Sequence, residues 1–194
     1  SRNLRQEPKQ QEEVRGQPQE EQEEDRDDGE HLGLGEADEV RAESEDIRWK
    51  RRDIKSINLL AQCLAKQDAQ SKGANEGWMI EDGFVTEGVS SSAYIVKDRK
   101  IITRPLSNLI LPGIRRRTLI EIAQRENIQI EQRLFTIEEA LQADEAFISS
   151  ATTLALGVVS IDGQPIGDGK PGEITGILRS LYIQRLLEEA STAD

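Results

Sequence analysis

Residues 53–60 read DIKSINLL, and the third of them, Lys55, stands among Ile54, Ile57, Leu59 and Leu60. A lysine in apolar surroundings is costly to keep charged, so its amine has a lowered pKa and becomes a nucleophile suited to condensing with an aldehyde. The same pattern also describes a surface lysine whose stem packs on apolar neighbours while its head reaches water. What accompanies Lys55 along the chain decides between them.

Upstream lies a stretch of different character. Residues 1–46 hold 17 acidic and six basic side chains, a net of −11, so of the chain's −12 only −1 remains for residues 47–194. This part is rich in Glu, Gln, Asp and Arg, lacks aromatic residues and has only scattered Leu and Val. It cannot bury enough apolar surface to offset its ordering entropy, and residues 1–45 read as a disordered acidic leader, most simply a solvated tail. The folded domain is then expected over 46–194. The chain opens on Ser1 rather than Met, as a fragment or processed product does.

No apolar run approaches the roughly 18 residues a membrane span needs, and the N-terminus has no basic-then-apolar signal pattern. A soluble, cytoplasmic protein that binds neither nucleic acid nor membrane is expected. The single cysteine, Cys63, falls in a helical pattern and reads as a small core residue. The single histidine, His31, lies in the leader, which argues against histidine metal sites and Ser-His-Asp triads.

Downstream of Lys55, Leu59, Leu60, Cys63 and Leu64 fall on one helical face and Gly73 supplies a stop, giving a helix over about 57–72. Asp82-Gly83 and Asp98-Arg99 are hairpin signals between short apolar runs, the second with strands near 93–97 and 100–104. Pro112-Gly113 feeds a helix carrying Ile114, Leu119, Ile122 and Ala123. A strand in IQIEQRLF, a short helix with a capping box at Thr136 and Glu139, strands in EAFISSA and VVSIDG, and a last helix lined by Ile174, Ile177, Leu178, Leu181 and Leu186 follow. Strands and helices mix without strict alternation, which defines an α/β or α+β domain rather than a doubly wound sheet. GDGKPG (Gly167–Gly172) matches a dinucleotide fingerprint literally, but Pro171 interrupts it and no strand with an acidic residue follows, so it reads as a turn.

Taken together and in order, DIKSINLLAQCLAKQDA, DGFVTEGVSSSAYIV, LILPGIRRRTLIEIA, FISSATT and IDGQPIGDGKPG resemble the large domain of the class IV (fold-type IV) pyridoxal-phosphate aminotransferases, nearest to those acting on D-amino acids. The resemblance runs from about Val40 to Glu189. Branched-chain aminotransferases share the lysine and the Glu-Gly pattern but fit DIKSINLL and GDGKPG less well. The resemblance implies that Lys55 condenses with the aldehyde of pyridoxal phosphate and, once released, moves a proton at the substrate α-carbon. It implies that Glu87 pairs with the pyridine nitrogen and that Arg48 lies near the cofactor. Backbone amides of Ile114 and Arg115, at a helix N-terminus, would receive the phosphate, and Ser150, Ala151 and Thr152 would form a second phosphate loop. For the run Arg115-Arg116-Arg117, at least two side chains are expected to be a solvated helix start.

The sequence departs from the family pattern at several of these places. The family usually has Thr at Arg115, Asn at Ser92, often Thr at Ala151, and Pro at Gly157; an arginine at 115 either replaces a hydroxyl contact with charge or clashes. The family's small N-terminal domain, which brings a phosphate-binding arginine, a tyrosine near the cofactor and much of the carboxylate pocket, has no likeness in the acidic leader. The implied activity is transfer of an amino group from a D-amino acid such as D-alanine to a 2-oxo acid, in a homodimer. The alternatives are a non-catalytic truncated member, a branched-chain aminotransferase, and the related lyase that makes 4-aminobenzoate.

Overall fold

The computed structural model describes residues 38–42 and 46–192. Among the described residues nine strands form one sheet: β1 (Asp38–Ala42), β2 (Glu76–Glu81), β3 (Phe84–Gly88), β4 (Ser92–Lys97), β5 (Lys100–Thr103), β6 (Ile130–Gln132), β7 (Glu145–Ser149), β8 (Leu156–Ile161) and β9 (Gln164–Pro165). The order is β3-β2-β1-β8-β7-β4-β5-β6, with β9 paired to β8. Helices α1 (Leu60–Ser71), α2 (Ile114–Arg125), α3 (Ile137–Leu141) and α4 (Glu173–Ser191) complete it. This is the mixed α/β architecture expected from the sequence. Among the described residues no helix is long and apolar enough to cross a membrane.

Three two-residue turns make the hairpins. Asp82-Gly83, Asp98-Arg99 and Asp162-Gly163 all have positive φ at both central positions, the backbone that matches the twist of flanking strands and that Asp and Gly adopt at least cost. On one side of the sheet Trp78, Val85, Ile95, Ile102, Phe135, Ile148 and Ile161 form a core, with Trp78 set edge-on against Phe135 at 5.9 Å. On the other, α2 and α4 cover Tyr94, Val96, Ile101 and Phe147, where Tyr94 stacks on Phe147 at 4.4 Å. The short helix α3 begins as its capping box requires, with the Glu139 N–H donating to Thr136 Oγ1. The last helix is capped differently: the buried Glu145 carboxylate accepts from the N–H groups of Ile174 and Thr175, both at 2.9 Å. A Cβ on Gly172 would stand 1.9 Å from Glu145 Cδ, so only glycine lets the carboxylate reach the helix. Gly167 and Gly169 take positive φ, and GDGKPG is a turn leading into α4.

Two expectations are corrected here. The stretch read as leader to residue 45 contains β1, which lies between β2 and β8 and pairs parallel with both; the rest of that stretch apart from 38–42 lies outside the described residues. Five residues, DEVRA, gave no apolar run because Val40 alone is fully enclosed while its neighbours are half-buried. Cys63 is exposed, as are Leu59, Leu60 and Leu64, and in α1 only Ala69 is fully buried. The helix turns its alanines, Ala61, Ala65 and Ala69, away from solvent and its larger apolar side chains outward. Both sets recur at helical spacing, so periodicity alone did not distinguish the buried face.

If β1 is integral, Val40→Ala lowers the unfolding free energy by about 1–3 kcal/mol, the range for removing fully buried methyl groups. Urea denaturation measures it, and a change below about 0.5 kcal/mol, as for a surface site, refutes the placement.

Candidate functional site

Glu87, next to last in β3, is where three segments meet. Asp46 and Arg48, two residues apart on the chain entering the domain, clasp each other: Asp46 Oδ1 accepts from Arg48 Nε at 2.8 Å and Oδ2 from Nη2 at 2.6 Å. On its other side Arg48 donates from Nη1 to Glu87 Oε1 at 2.7 Å. The second Glu87 oxygen accepts the Leu111 N–H at 3.1 Å, two residues before the N-cap of α2. The Thr86 hydroxyl lies 2.8 Å from Asp46 Oδ2, and Arg52 reaches Asp46 at 3.3 Å and Glu81 at 2.7 Å.

The side chains of Asp46, Arg48 and Glu87 are 0%, 4% and 9% exposed. Charges this deep are tolerated only with partners and a full set of hydrogen bonds. Burial pushes the Glu87 carboxyl above its usual range, although the Arg48 charge and hydrogen bond and the Leu111 N–H oppose the rise. For Asp46 burial also acts upward, but hydrogen bonds and charge from Arg48, with Thr86 and Arg52, outweigh it and hold the group low.

The second pole of the site is the start of α2. Gly113 is its N-cap, with φ −62° and ψ 137° and no side-chain cap, so the amides of the first turn face outward without a side-chain acceptor. A Cβ on Gly113 would lie 3.7 Å from Ser92 Oγ. Ser92 is paired with Ser149 across β4 and β7, and this register brings the loop Ser150–Thr153 alongside. That loop is tight: Ser150 N donates to Thr153 O at 2.8 Å, and Ser150 Oγ accepts from Thr152 N at 3.3 Å and Thr153 N at 3.1 Å. Beneath it the Tyr94 hydroxyl and Ser149 Oγ are 2.9 Å apart. Burial pushes the Tyr94 phenol up to about 12.

Arg48 and Glu87 are thus in direct contact, Ser150 hydrogen-bonds Thr152, and Arg115 reaches Ala151, with Nη2 3.5 Å from its carbonyl. Ile114 is 57% exposed, and its polar groups are those of its backbone. Lys55 shares none of these contacts. It is exposed, and so are Ile54, Ile57, Leu59 and Leu60; the apolar surroundings expected for it are not supplied by the described residues, because its flanking chains point to solvent rather than over it. What places Lys55 is its segment. Arg52 N donates to Asn108 O and Asn108 Nδ2 to Lys50 O, each at 2.8 Å, which binds residues 50–52 to the loop preceding α2.

The expectation for the arginine run also changes. Only Arg117 is exposed; Arg115 is half-buried and Arg116 is buried, donating to the Arg104 carbonyl at 2.9 Å. Sequence reasoning missed Asp46, Thr86, Arg52 and the Leu111 amide. Spacing was the available signal, since Asp46, Arg48 and Arg52 project inward from a charged run whose Lys50 and Arg51 are exposed. The arrangement sets a buried carboxylate, Glu87, near a helix start whose first-turn amides lack a side-chain acceptor.

The fold thus brings together a buried acid and an uncapped helix start. The chain belongs to the class IV amino-transferase family, whose model matches residues 21–161. It is 42% identical over 148 residues to the D-alanine aminotransferase of Bacillus licheniformis, covering 76% of this chain and 52% of that protein. With the D-alanine aminotransferase of Staphylococcus haemolyticus the identity is 45% over 131 residues, covering 68% and 46%. Among solved structures, the T.th. branched-chain amino acid aminotransferase matches with a TM-score of 0.71 at 25% identity, covering 76% of this chain and 52% of that one. That of Thermobaculum terrenum, in its PLP form, matches at 0.72 and 28%, covering 76% and 50%. The chain spans about half the length of the relatives it matches.

The two buried carboxylates predict opposite pH dependences. Asp46, held low when folded, contributes stability above its usual value of 3.8 that is lost as pH falls through the lowered value. Glu87, held high, contributes stability below its usual 4.5 that is lost as pH rises through the raised value. Relative to wild type, Asp46→Asn therefore becomes less stable as pH rises, reaching a deficit of about 3–5 kcal/mol at neutral pH for a broken buried pair. Glu87→Gln moves the other way. Urea unfolding from pH 3 to 8 measures both slopes, and parallel slopes contradict the assignment.

Proposed function

We propose that this chain is the cofactor-binding part of a pyridoxal-phosphate transaminase that moves the amino group of a D-amino acid, such as D-alanine, to a 2-oxo acid. The observation that carries the reading is the buried carboxylate of Glu87, fixed by Arg48 and the Leu111 N–H at 2.7 and 3.1 Å. The residues present fit the cofactor at both ends. Glu87 would hold the pyridine nitrogen protonated, and the amides of Ile114 and Arg115 with the loop Ser150-Ala151-Thr152 would take the phosphate. When bound, pyridoxal phosphate supplies an aldehyde that takes up the amino group and a ring that accepts the electron pair left at the α-carbon.

The remaining work falls to the chain. Arg48 opposes the cost of burying the Glu87 carboxylate, and Asp46 keeps Arg48 in place. Lys55 Nζ would be the amine that meets the cofactor aldehyde, and it would hold the proton moved at the substrate α-carbon. The identity to D-alanine aminotransferases supports the D-amino acid substrate, and the same reading takes the working form as a cytoplasmic homodimer. The fold likeness to branched-chain amino acid aminotransferases favours a second reading, in which the substrate is a branched-chain amino acid.

The test is incubation of the full chain with pyridoxal phosphate, borohydride reduction and peptide mass mapping. A single pyridoxyl group on Lys55 is the expected result; scattered labelling of surface lysines, or none, rejects the reading. Transamination from D-alanine to 2-oxoglutarate should then exceed that from L-leucine, and Lys55→Ala should lower the rate by at least about 10²–10⁴, the usual contribution of a placed acid–base group.

A further inference from the structure

Glu87 stands where the sheet holds it least. Among the described residues β3 lies at the edge of the sheet, and its pairing with β2 passes from Ile80–Val85 to Trp78–Gly88, so that Thr86 and Glu87 together face Met79. This is a β-bulge, in which the ladder is interrupted and a side chain is re-aimed. Arg48 and the Leu111 N–H hold the carboxylate, but the backbone that carries it needs a hold of its own. The turn Gly88–Ser91 follows Glu87 directly and leads into Ser92, the first residue of β4.

That turn is gripped by Glu76, the first residue of β2 and 4% exposed. Glu76 Oε1 accepts the N–H groups of Gly77 at 3.0 Å and Val89 at 3.1 Å. Oε2 accepts the hydroxyls of Ser90 at 3.0 Å and Ser91 at 3.5 Å. The Gly88 N–H closes the turn onto Ser91 O at 2.7 Å, and a Cβ on Gly88 would stand 2.1 Å from Ser91 Oγ, so the turn is shaped around these bonds. Lys66 Nζ stays 4.0 Å from Oε2 and donates to the Asn75 carbonyl, so neutral donors, and not an ion pair, engage this carboxylate. Only an ionised carboxylate offers two oxygens that accept and never donate, enough for four donors at once. Displacing any donor would leave a buried acceptor unsatisfied, which makes the position of the turn stiff.

We infer that Glu76 is a positioning residue: through the Gly88–Ser91 turn it fixes the bulged backbone at Glu87 and so sets how well the Glu87 carboxylate meets a protonated ring nitrogen. The inference rests on the cofactor reading above and adds to it the group that aims the acid. Its signature is selectivity for the ring nitrogen, which a merely structural carboxylate would not change.

The experiment titrates the full chain calorimetrically with pyridoxal phosphate and with the analogue that carries C–H in place of the ring nitrogen. The analogue keeps the aldehyde and the phosphate but offers Glu87 no donor. Wild type should prefer pyridoxal phosphate by about tenfold or more, the worth of one charge-assisted hydrogen bond. Glu76→Gln keeps the size of the side chain but only one acceptor oxygen, and should lose most of that preference. Ser90→Ala removes a single donor and should lose part of it, whereas Lys66→Met should keep it whole. Circular dichroism establishes that each variant is folded, and if Glu76→Gln is not, Ser90→Ala decides on the same ratio. An unchanged ratio, whether both compounds weaken alike or neither does, overturns the inference while reductive labelling of Lys55 leaves the cofactor reading standing. A wild type that binds both compounds equally removes Glu87 from the ring nitrogen and the inference with it. One that binds neither and is not labelled at Lys55 ends the cofactor reading as well.

Discussion

Arg48 sits between two carboxylates, Asp46 and Glu87, in a part of the molecule closed to water, and the site is assembled around it. Taking three charges out of solvent costs several kcal/mol per ion before any attraction is counted. The cost is met by completeness: both oxygens of each carboxylate have donors. Those donors come from different parts of the chain, so satisfying the charges also fixes where the entering segment, β3 and the loop before α2 stand relative to one another. Arg52 extends the network to Glu81 at the end of β2. Asp46, Arg48 and Glu87 hold one another in place, so the site's geometry and the stability of this corner are coupled.

The second pole is framed by backbone and hydroxyl groups rather than by paired ions. Strand register sets Ser92 opposite Ser149, a glycine N-cap leaves the first turn of α2 open, and the Ser150 hydroxyl closes its own loop. Hydrogen-bonding direction, rather than burial of ions, defines this end. The two poles are linked through Leu111, whose amide completes Glu87, and Gly113, two residues on. A short loop therefore sets the distance between the acid and the start of α2.

Legibility in the sequence follows from the range of the forces involved. Hairpins at Asp82-Gly83 and Asp98-Arg99 and the capping box at Thr136 depend on backbone torsions and contacts within a few residues, and they could be read directly. Glu87 and Arg48 could be singled out only through resemblance, since nothing local distinguishes them from solvated charges; Asp46, which orients Arg48, escaped for that reason. The strand β1 escaped because its burial comes from two neighbours far along the chain, Glu76–Trp78 and Val158–Ile161, and not from apolar composition. In α1, alanines and leucines recur at the same spacing, and the choice of buried face belongs to the sheet, where small side chains allow close approach.

Lys55 shows how differently the parts of the proposed site are prepared. The acid is buried and held in place, the phosphate loop is closed on itself, and the amine is exposed beside Ile54 and Ile57. Recognition of a cofactor's ring and phosphate depends on groups already fixed, so little ordering is needed to form those contacts. The reactivity of an amine depends instead on apolar cover, which the described residues do not give Lys55. On the proposed reading affinity and reactivity are separable: the first would rest with Glu87, Arg48 and the start of α2, and the second with whatever covers the apolar segment that carries Lys55.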